Sequence, residues 1–246
     1  MRTFLFFLTL LTTLVTTPVQ GEAPDRQQKP ECVILLHGLI RTSSAMTPIA
    51  DALREEGFIV VNQDYPSRQF PIEELSDLAI TNGLERCRSA GAQRVHFVTH
   101  SLGGILVRYY LSDKTIPELG RVVMLAPPNK GSTLIDLFEA FPELGDIIGP
   151  AGYQLGTDEE SIPLMLGPAN YEVGIITGDH TVNPVMSAYL ETPNDGKVTI
   201  ESARLEGMQD FLVVPHSHPF IMRNENVIGQ TIYFLYFGKF EKSGSE

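Results

Sequence analysis

The apolar residues of this chain fall into short, nearly continuous runs separated by segments with helical periodicity. Six runs stand out, at 32–36, 58–61, 95–99, 122–126, 173–177 and 211–214. Their length and β-branched content are typical of strands that are buried on both faces. Amphipathic segments at 47–56, 71–88, 103–112 and 221–237 predict helices between and after them. This alternation predicts an α/β fold, with about six parallel strands and helices on both faces of the sheet.

Two passages interrupt the alternation. Residues 130–170 contain one short helical segment, at 134–141, and then several glycines and prolines. A stretch this long between strands is seldom plain loop, so we interpret it as a cap or lid over the site. The alternative is a solvent-side insertion without a role. Residues 178–210 are polar and contain a short β-like run at 198–201. Because there is no internal repeat and no second core, residues 31–246 are expected to form one domain.

The first 21 residues have the features of a secretory signal peptide. A short positive start precedes an uncharged Phe/Leu/Thr run, and small residues follow at the positions that a signal peptidase reads. The run is short for a bilayer span, which needs about 20 apolar residues. Cleavage after Gly21 or Ala23 fits equally well. We expect an exported protein, periplasmic or secreted, with residues 22–30 as a linker and no stable membrane insertion after cleavage.

Charge and cysteine content limit the partners. The formal net charge of −12 argues against nucleic acid and anionic membranes as electrostatic partners. Cys32 and Cys87 are the only cysteines, and an exported protein can pair them, although two half-buried thiols are an equal alternative. No Cys/His grouping suggests a metal, and we expect no cofactor. The sequence leaves the oligomeric state open.

Ser101 lies between the third strand run and the helix that follows it. Its surroundings, from Thr99 to Gly103, match G-x-S-x-G except at the first position. Small residues on both sides allow a sharp strand-to-helix turn that holds a nucleophilic serine above the sheet edge. The amide of Leu102 would then begin the helix, where free donors and the helix dipole stabilise an oxyanion. The alternative is an ordinary serine in a turn, which would leave Gly103-Gly104 unexplained.

An activated serine needs a base, and in this fold class the acid and then the histidine follow the serine along the chain. His180, His216 and His218 come after Ser101. His180 directly follows the fifth strand, with only Asp179 as a nearby acid. His218 is favoured, because it precedes the last helix, and His216 remains the alternative on an extension of the last strand.

Two further histidines lie on the third strand or at its end. His96 is inside the buried run and is expected to be a core residue with its polar atoms satisfied. His100 adjoins the nucleophile, but a sharp turn would make it face the opposite way.

Three motifs and a late histidine carry a family resemblance: His37-Gly38 after a buried strand, Thr99-His100-Ser101-Leu102-Gly103-Gly104, and Asn194-Asp195-Gly196-Lys197-Val198. Over residues 31–240 the chain resembles the α/β-hydrolase superfamily. It is most similar to small bacterial lipases and esterases, whose sheet lacks the leading antiparallel hairpin, and to related lipid deacylases. Thr99 departs from the family's glycine at that position.

The resemblance implies roles for individual residues. It assigns the two oxyanion-hole amides to Leu39 and Leu102, and the acid to Asp195 in an Asp-Gly-x-Val turn. Asp179 is the rival acid, because it directly follows the fifth strand. Some related lipases bind calcium through an Asp after the catalytic histidine. This chain has Pro219 there, so no calcium site is carried over.

The combined expectation is a serine hydrolase that cleaves carboxylic esters of a small molecule or a lipid. Ser101 would form the acyl-enzyme, His218 would act as base and then acid, and Asp195 would orient His218. Acyl transfer, or cleavage of thioesters or amides, could use the same three residues. A non-catalytic binding protein that retains the fold is the alternative from another class.

Overall fold

A parallel β-sheet forms the centre of the computed structural model, which describes residues 29–139 and 142–242. Its strands are β1 (Glu31–Leu36), β2 (Ile59–Gln63), β3 (Arg94–His100), β4 (Leu119–Leu125), β5 (Val173–Gly178) and β6 (Asp210–Val214). Their order across the sheet is β2-β1-β3-β4-β5-β6, and every neighbouring pair is parallel. The predicted fold class is confirmed, with strand bounds that differ by a few residues. The proposed signal peptide and most of the linker lie outside the described residues.

Helices cover both faces of this sheet. They are α1 (Thr47–Glu55), α2 (Ile72–Ser89), α3 (Leu102–Asp113), α4 (Thr133–Glu139), α5 (Pro142–Tyr153), α6 (Ile162–Met165), α7 (Pro184–Ser187), α8 (Ile200–Ala203) and α9 (Glu225–Phe237). In β1 the side chains alternate between two cores. Ile34 and Leu36 pack in the core with α2 and α3, whereas Val33 and Leu35 pack in the core with α1 and α9. This explains the continuous apolar runs, because neither face of the strand meets water.

A disulfide joins Cys32 at the start of β1 to Cys87 near the end of α2, with the two Cα atoms 5.8 Å apart. The sequence left this pairing open. The loop that it closes corresponds to about 4 kcal/mol in the chain-entropy description of disulfide stabilisation. Because Cys32 begins β1 and Leu36 ends it, the bridge lies at the opposite end of the strand from the carboxyl edge of the sheet.

Short helices occur in both interrupting passages. The segment predicted at 134–141 is α4, and α5 and α6 follow it within 130–170. The β-like run predicted at 198–201 is only partly right. Thr199 forms an isolated antiparallel β-bridge with Asn194, and the chain then turns into α8. The Thr199 side chain accepts a hydrogen bond from the Ser202 amide at 3.0 Å and so caps that helical turn.

The closing helix begins later than predicted. Ile221–Arg223 form a 3-10 turn, and Asn224 then caps α9 by accepting from the Val227 amide. Within the described residues, no helix combines the length and the apolar character needed to cross a membrane.

Candidate active site

Ser101 occupies a strained turn between β3 and α3. Its backbone angles are φ 52° and ψ −120°, and its amide donates to the Leu125 carbonyl at 2.9 Å. A non-glycine residue in this region costs about 1–3 kcal/mol, which the surrounding structure must offset. Gly103 permits the turn, since a Cβ there would lie 2.7 Å from the Leu36 carbonyl oxygen and 2.9 Å from the Leu36 Cβ. Helix α3 therefore begins in direct contact with the end of β1.

The two amides predicted for an oxyanion hole follow β1 and β3. Leu102 is the first residue of α3, where backbone donors have no partner inside the helix. Leu39 precedes Ile40, whose φ of 59° is unusual for a β-branched residue, and the Ile40 amide donates to Ser67 Oγ at 3.2 Å. Among the described residues, neither the Leu39 nor the Leu102 amide donates to a protein group. Both donors are thus unpaired within the described protein.

His218 and Asp195 form a buried pair. The Nδ1 atom of His218 donates to Asp195 Oδ2 at 2.8 Å, and the two residues are 3% and 0% exposed. The other carboxylate oxygen, Oδ1, accepts from the amides of Lys197 and Val198 at 3.0 and 2.8 Å. The His218 amide also donates to the Asp195 carbonyl oxygen at 3.0 Å. Because a carboxylate only accepts, the ring carries a proton on Nδ1, and in the neutral ring Nε2 is then the acceptor.

One cavity at the carboxyl edge of the sheet is lined by three of these residues, whereas Leu102 and Asp195 are not among its described lining. Ser101, His218 and Leu39 all line it. Its apolar wall comes from the segment after β4: Leu134, Ile135, Phe138 and Ile148. A serine, an imidazole and a long apolar wall at one opening are suited to acyl transfer from an apolar substrate.

The alternative acid and base have other partners. Asp179 pairs with the neighbouring, exposed His180. His216 Nε2 accepts from the Asn224 side-chain amide at 2.5 Å, which ties it to the start of α9. Neither Asp179 nor His216 is among the described residues that line the Ser101 cavity.

His100 does not face away from the site, and that expectation is wrong. It lines the cavity, its ring centroid is 4.8 Å from that of His218, and its Nε2 donates to the His218 carbonyl oxygen at 3.0 Å. The reason is that the segment after β6 folds back over the end of β3. Burial, followed by the proximity of His218, lowers the pKa of His100 well below its usual value. His100 is therefore neutral at neutral pH.

The other two histidines have structural surroundings. His96 is buried as expected, and its Nδ1 accepts from the Arg121 amide at 2.9 Å. Its Nε2 makes no hydrogen bond within the described residues and lies 3.4 Å from Glu31 Oε2, so the expectation that all its polar atoms are satisfied is only partly right. The His37 ring stacks on Tyr65 with centroids 4.1 Å apart, and the Tyr65 hydroxyl donates to the His37 carbonyl. Burial lowers the pKa of His37, which keeps this ring neutral too. These contacts fix the strand end from which the Leu39 loop leaves.

Sequence reasoning missed two charged residues of the cavity. Arg41 and Lys197 both line it. Lys197 lies inside the Asn194–Val198 motif, two residues after the proposed acid Asp195, and that position was a usable signal. Arg41 follows the Leu39 loop and offered no comparable pattern.

The comparison with protein families adds an independent finding. The model of the alpha/beta hydrolase family matches residues 33–218. The chain belongs to this family. The match extends from β1 to His218 and so spans the whole proposed site. The resemblance that the motifs indicated is confirmed at the level of the superfamily. No curated protein matches the chain.

Several solved structures of hydrolases share the fold. The mature form of Bacillus licheniformis lipase BlEst2 superposes with a TM-score of 0.70 and 21% identity, over 87% of this chain and 94% of that one. Phospholipase PlaB from Legionella pneumophila, in complex with thio-NAD, superposes with a TM-score of 0.65 and 18% identity, over 83% of this chain and 57% of that one. The Pyrococcus furiosus esterase Pf2001 superposes with a TM-score of 0.55 and 17% identity, over 85% of this chain and 83% of that one. At these identities the likeness shows the architecture alone.

Proposed function

We propose that this family member is a serine hydrolase that cleaves carboxylic esters through an acyl-enzyme on Ser101. The observation that carries the proposal is the buried Asp195–His218 pair, whose His218 lines the same cavity as the strained Ser101. Lipases, a phospholipase and an esterase among the proteins of similar fold support ester chemistry. The apolar wall of the cavity supports an acyl chain as the bound group.

The chemistry proceeds in two halves. The His218 Nε2 takes the proton of the Ser101 hydroxyl while Oγ attacks the ester carbonyl carbon. The carbonyl oxygen becomes an oxyanion that accepts from the Leu39 and Leu102 amides. Collapse of this intermediate breaks the ester C–O bond, and His218 returns its proton to the departing alcohol. Water then attacks the acyl-enzyme by the same steps and releases the acid.

Asp195 orients the base and stabilises its charged form. Two amide hydrogen bonds hold Oδ1, so Oδ2 stays directed at His218 Nδ1 without the carboxylate taking the proton. We also propose that residues 130–170 act as a cap, since α4 supplies most of the apolar wall.

Export to the periplasm or the medium is part of the proposal. The Cys32–Cys87 bridge supports it, because disulfides persist in oxidising compartments.

Covalent labelling and graded substrates test the function. We expect a fluorophosphonate probe to label Ser101, and p-nitrophenyl esters to be hydrolysed with a rate that depends on acyl length. Ser101→Ala should stay folded, lose labelling and lose about 10³-fold or more in turnover. A folded wild-type protein that takes no label would favour the non-catalytic alternative. Efficient turnover of thioesters, amides or acceptor alcohols in place of water would replace ester hydrolysis with that reaction.

A further inference from the structure

The cavity that holds Ser101 is lined by two cations and by no carboxylate among the described residues. These cations are the side chains of Arg41 and Lys197. This contrasts with the composition of the chain, in which acidic residues outnumber basic ones by 30 to 18. A positive opening in an acidic protein attracts anions and repels cations.

Neither cation has an ion-pair partner within the described residues. Other basic side chains of the protein do. Lys114 pairs with Asp77, and Lys130 pairs with Glu201. Both residues keep exposed surface, although protein atoms surround the Lys197 ammonium group closely enough to lower its pKa. Their charges therefore border the cavity.

The two charges are close enough to affect each other. Burial, and next the Arg41 charge, lower the pKa of Lys197, while Asp195 acts in the opposite direction. The charges of Lys197 and Arg41 both lower the pKa of His100 as well. Since like charges held together repel each other, an anion bound between them would relieve that repulsion.

The position of Lys197 indicates which part of a bound ester it faces, the alcohol or the acyl chain. Its amide donates to Asp195, and its carbonyl accepts from Ser132 Oγ at 2.7 Å, so the residue is fixed beside the acid that holds His218. His218 must return its proton to the departing alcohol, which places the alcohol near this end of the cavity. The apolar wall formed by α4 is then left for the acyl chain.

We infer that Arg41 and Lys197 form an anion subsite, and that the preferred substrates are esters whose alcohol portion carries a carboxylate or a phosphate. The inference rests on the proposed function. It adds a substrate class, because neither the fold nor the Ser101, His218 and Asp195 arrangement requires a charged alcohol.

Three butyrate esters with a common acyl group provide the first test. Their alcohols are 3-hydroxybenzoate, 3-hydroxybenzamide and 3-(trimethylammonio)phenol, which carry negative, zero and positive charge. We expect kcat/KM for the anionic ester to exceed that for the neutral one by about tenfold, because each exposed ion pair typically contributes a few-fold. The cationic ester should be poorest, although its leaving group is the most reactive. The preference should shrink as salt is added.

Variants connect that preference to the two residues. In Arg41→Gln and Lys197→Gln the anionic-to-neutral ratio should fall, and in the double variant it should approach one. Arg41→Lys and Lys197→Arg, which keep the charge, should retain most of it. Arg54→Gln is the matched control, since Arg54 is an exposed arginine paired with Asp51 outside the described cavity lining, and its ratio should equal that of the wild type.

A lipid pair distinguishes the source of the anion. A lysophosphatidic acid and the monoacylglycerol of the same acyl chain differ by one phosphate. A preference confined to this pair supports a lipid phosphate, and one confined to the aryl esters supports a small carboxylate. Equal kcat/KM for charged and neutral members of both pairs, in protein that still takes the fluorophosphonate label, overturns the subsite. Loss of labelling and of all hydrolysis overturns the proposed function and the subsite with it.

Discussion

The nucleophile turn, residues 100–104, and the acid turn, residues 194–198, meet at one cavity but are built differently. Ser101 stands between a strand and a helix, and its amide continues the β3–β4 hydrogen bonding. Asp195 lies in the long passage between β5 and β6, where no strand of the sheet passes. The first turn is held by the regular structure of a strand and a helix, and the second by side-chain hydrogen bonds together with a few backbone ones outside the sheet.

Side-chain hydrogen bonds shape the acid turn. Asn194 Oδ1 accepts from Ser187 Oγ at 2.7 Å and from the Gly196 amide at 2.9 Å. Gly196 has a φ of 95°, and a Cβ there would lie 2.5 Å from Thr181 Oγ1. Ser132, far away in sequence, donates to the Lys197 carbonyl. Each contact contributes modestly, so the turn depends on several of them at once.

A buried arginine links the acid turn to the rest of the fold. Arg108 on α3 donates to the Asn129 and Leu166 carbonyls at 2.9 and 2.7 Å. Asn129 in turn donates to the Ala203 carbonyl at 2.8 Å, beyond the acid turn. Burial lowers the pKa of Arg108 to about 10, so the guanidinium remains charged at neutral pH. The helix that starts at the nucleophile thus also anchors the segments that flank the acid.

The largest expected effect is on the acid itself. Asp195→Asn preserves an acceptor for the Lys197 and Val198 amides but presents an NH₂ group to His218 Nδ1, which favours the wrong tautomer. We expect kcat on p-nitrophenyl butyrate to fall by about 10⁴-fold with the fold retained. Asp179→Asn is the control and should change kcat little. If Asp179→Asn gives the large loss instead, the loop after β5 supplies the acid and the turn at residues 194–198 does not.

The next effect concerns packing at the nucleophile turn. Gly103→Ala puts a methyl group against Leu36, and we expect it to destabilise the protein by about 1–3 kcal/mol and to lower kcat as α3 shifts. Gly229→Ala in α9 is the matched control, because a Cβ there meets nothing within 4 Å. It should be neutral or stabilising by up to about 1 kcal/mol. Urea denaturation gives both values, and equal effects would show that Gly103 is not tightly packed.

The smallest effect is expected for the hydrogen bond by which Ser132 supports the acid turn. Ser132→Ala removes the hydrogen bond to the Lys197 carbonyl and should cost about 1 kcal/mol. Because this bond also positions the turn that carries Asp195, kcat of the folded variant should fall, beyond what the small loss in free energy of unfolding would suggest. Ser112→Ala, which removes an equally long hydroxyl-to-carbonyl bond at Tyr109, should leave kcat unchanged. The same kcat for both variants would mean that Ser132 stabilises the fold without positioning Asp195.

The sequence by itself determined the sheet, the helices α1, α2 and α3 that follow its first three strands, and the turn at Ser101. Hydrophobic periodicity reports burial directly, and a strand–serine–glycine–helix pattern is local, so both can be read without knowing what packs where. The tertiary structure decided which of two close histidines lies beside which of two aspartates, brought His100 against His218, joined Cys32 to Cys87 and placed Arg41 beside Lys197. These arrangements depend on contacts between residues far apart in the chain, and such contacts follow no sequence period. They exist only after the sheet has formed and brought the loops at its edge together.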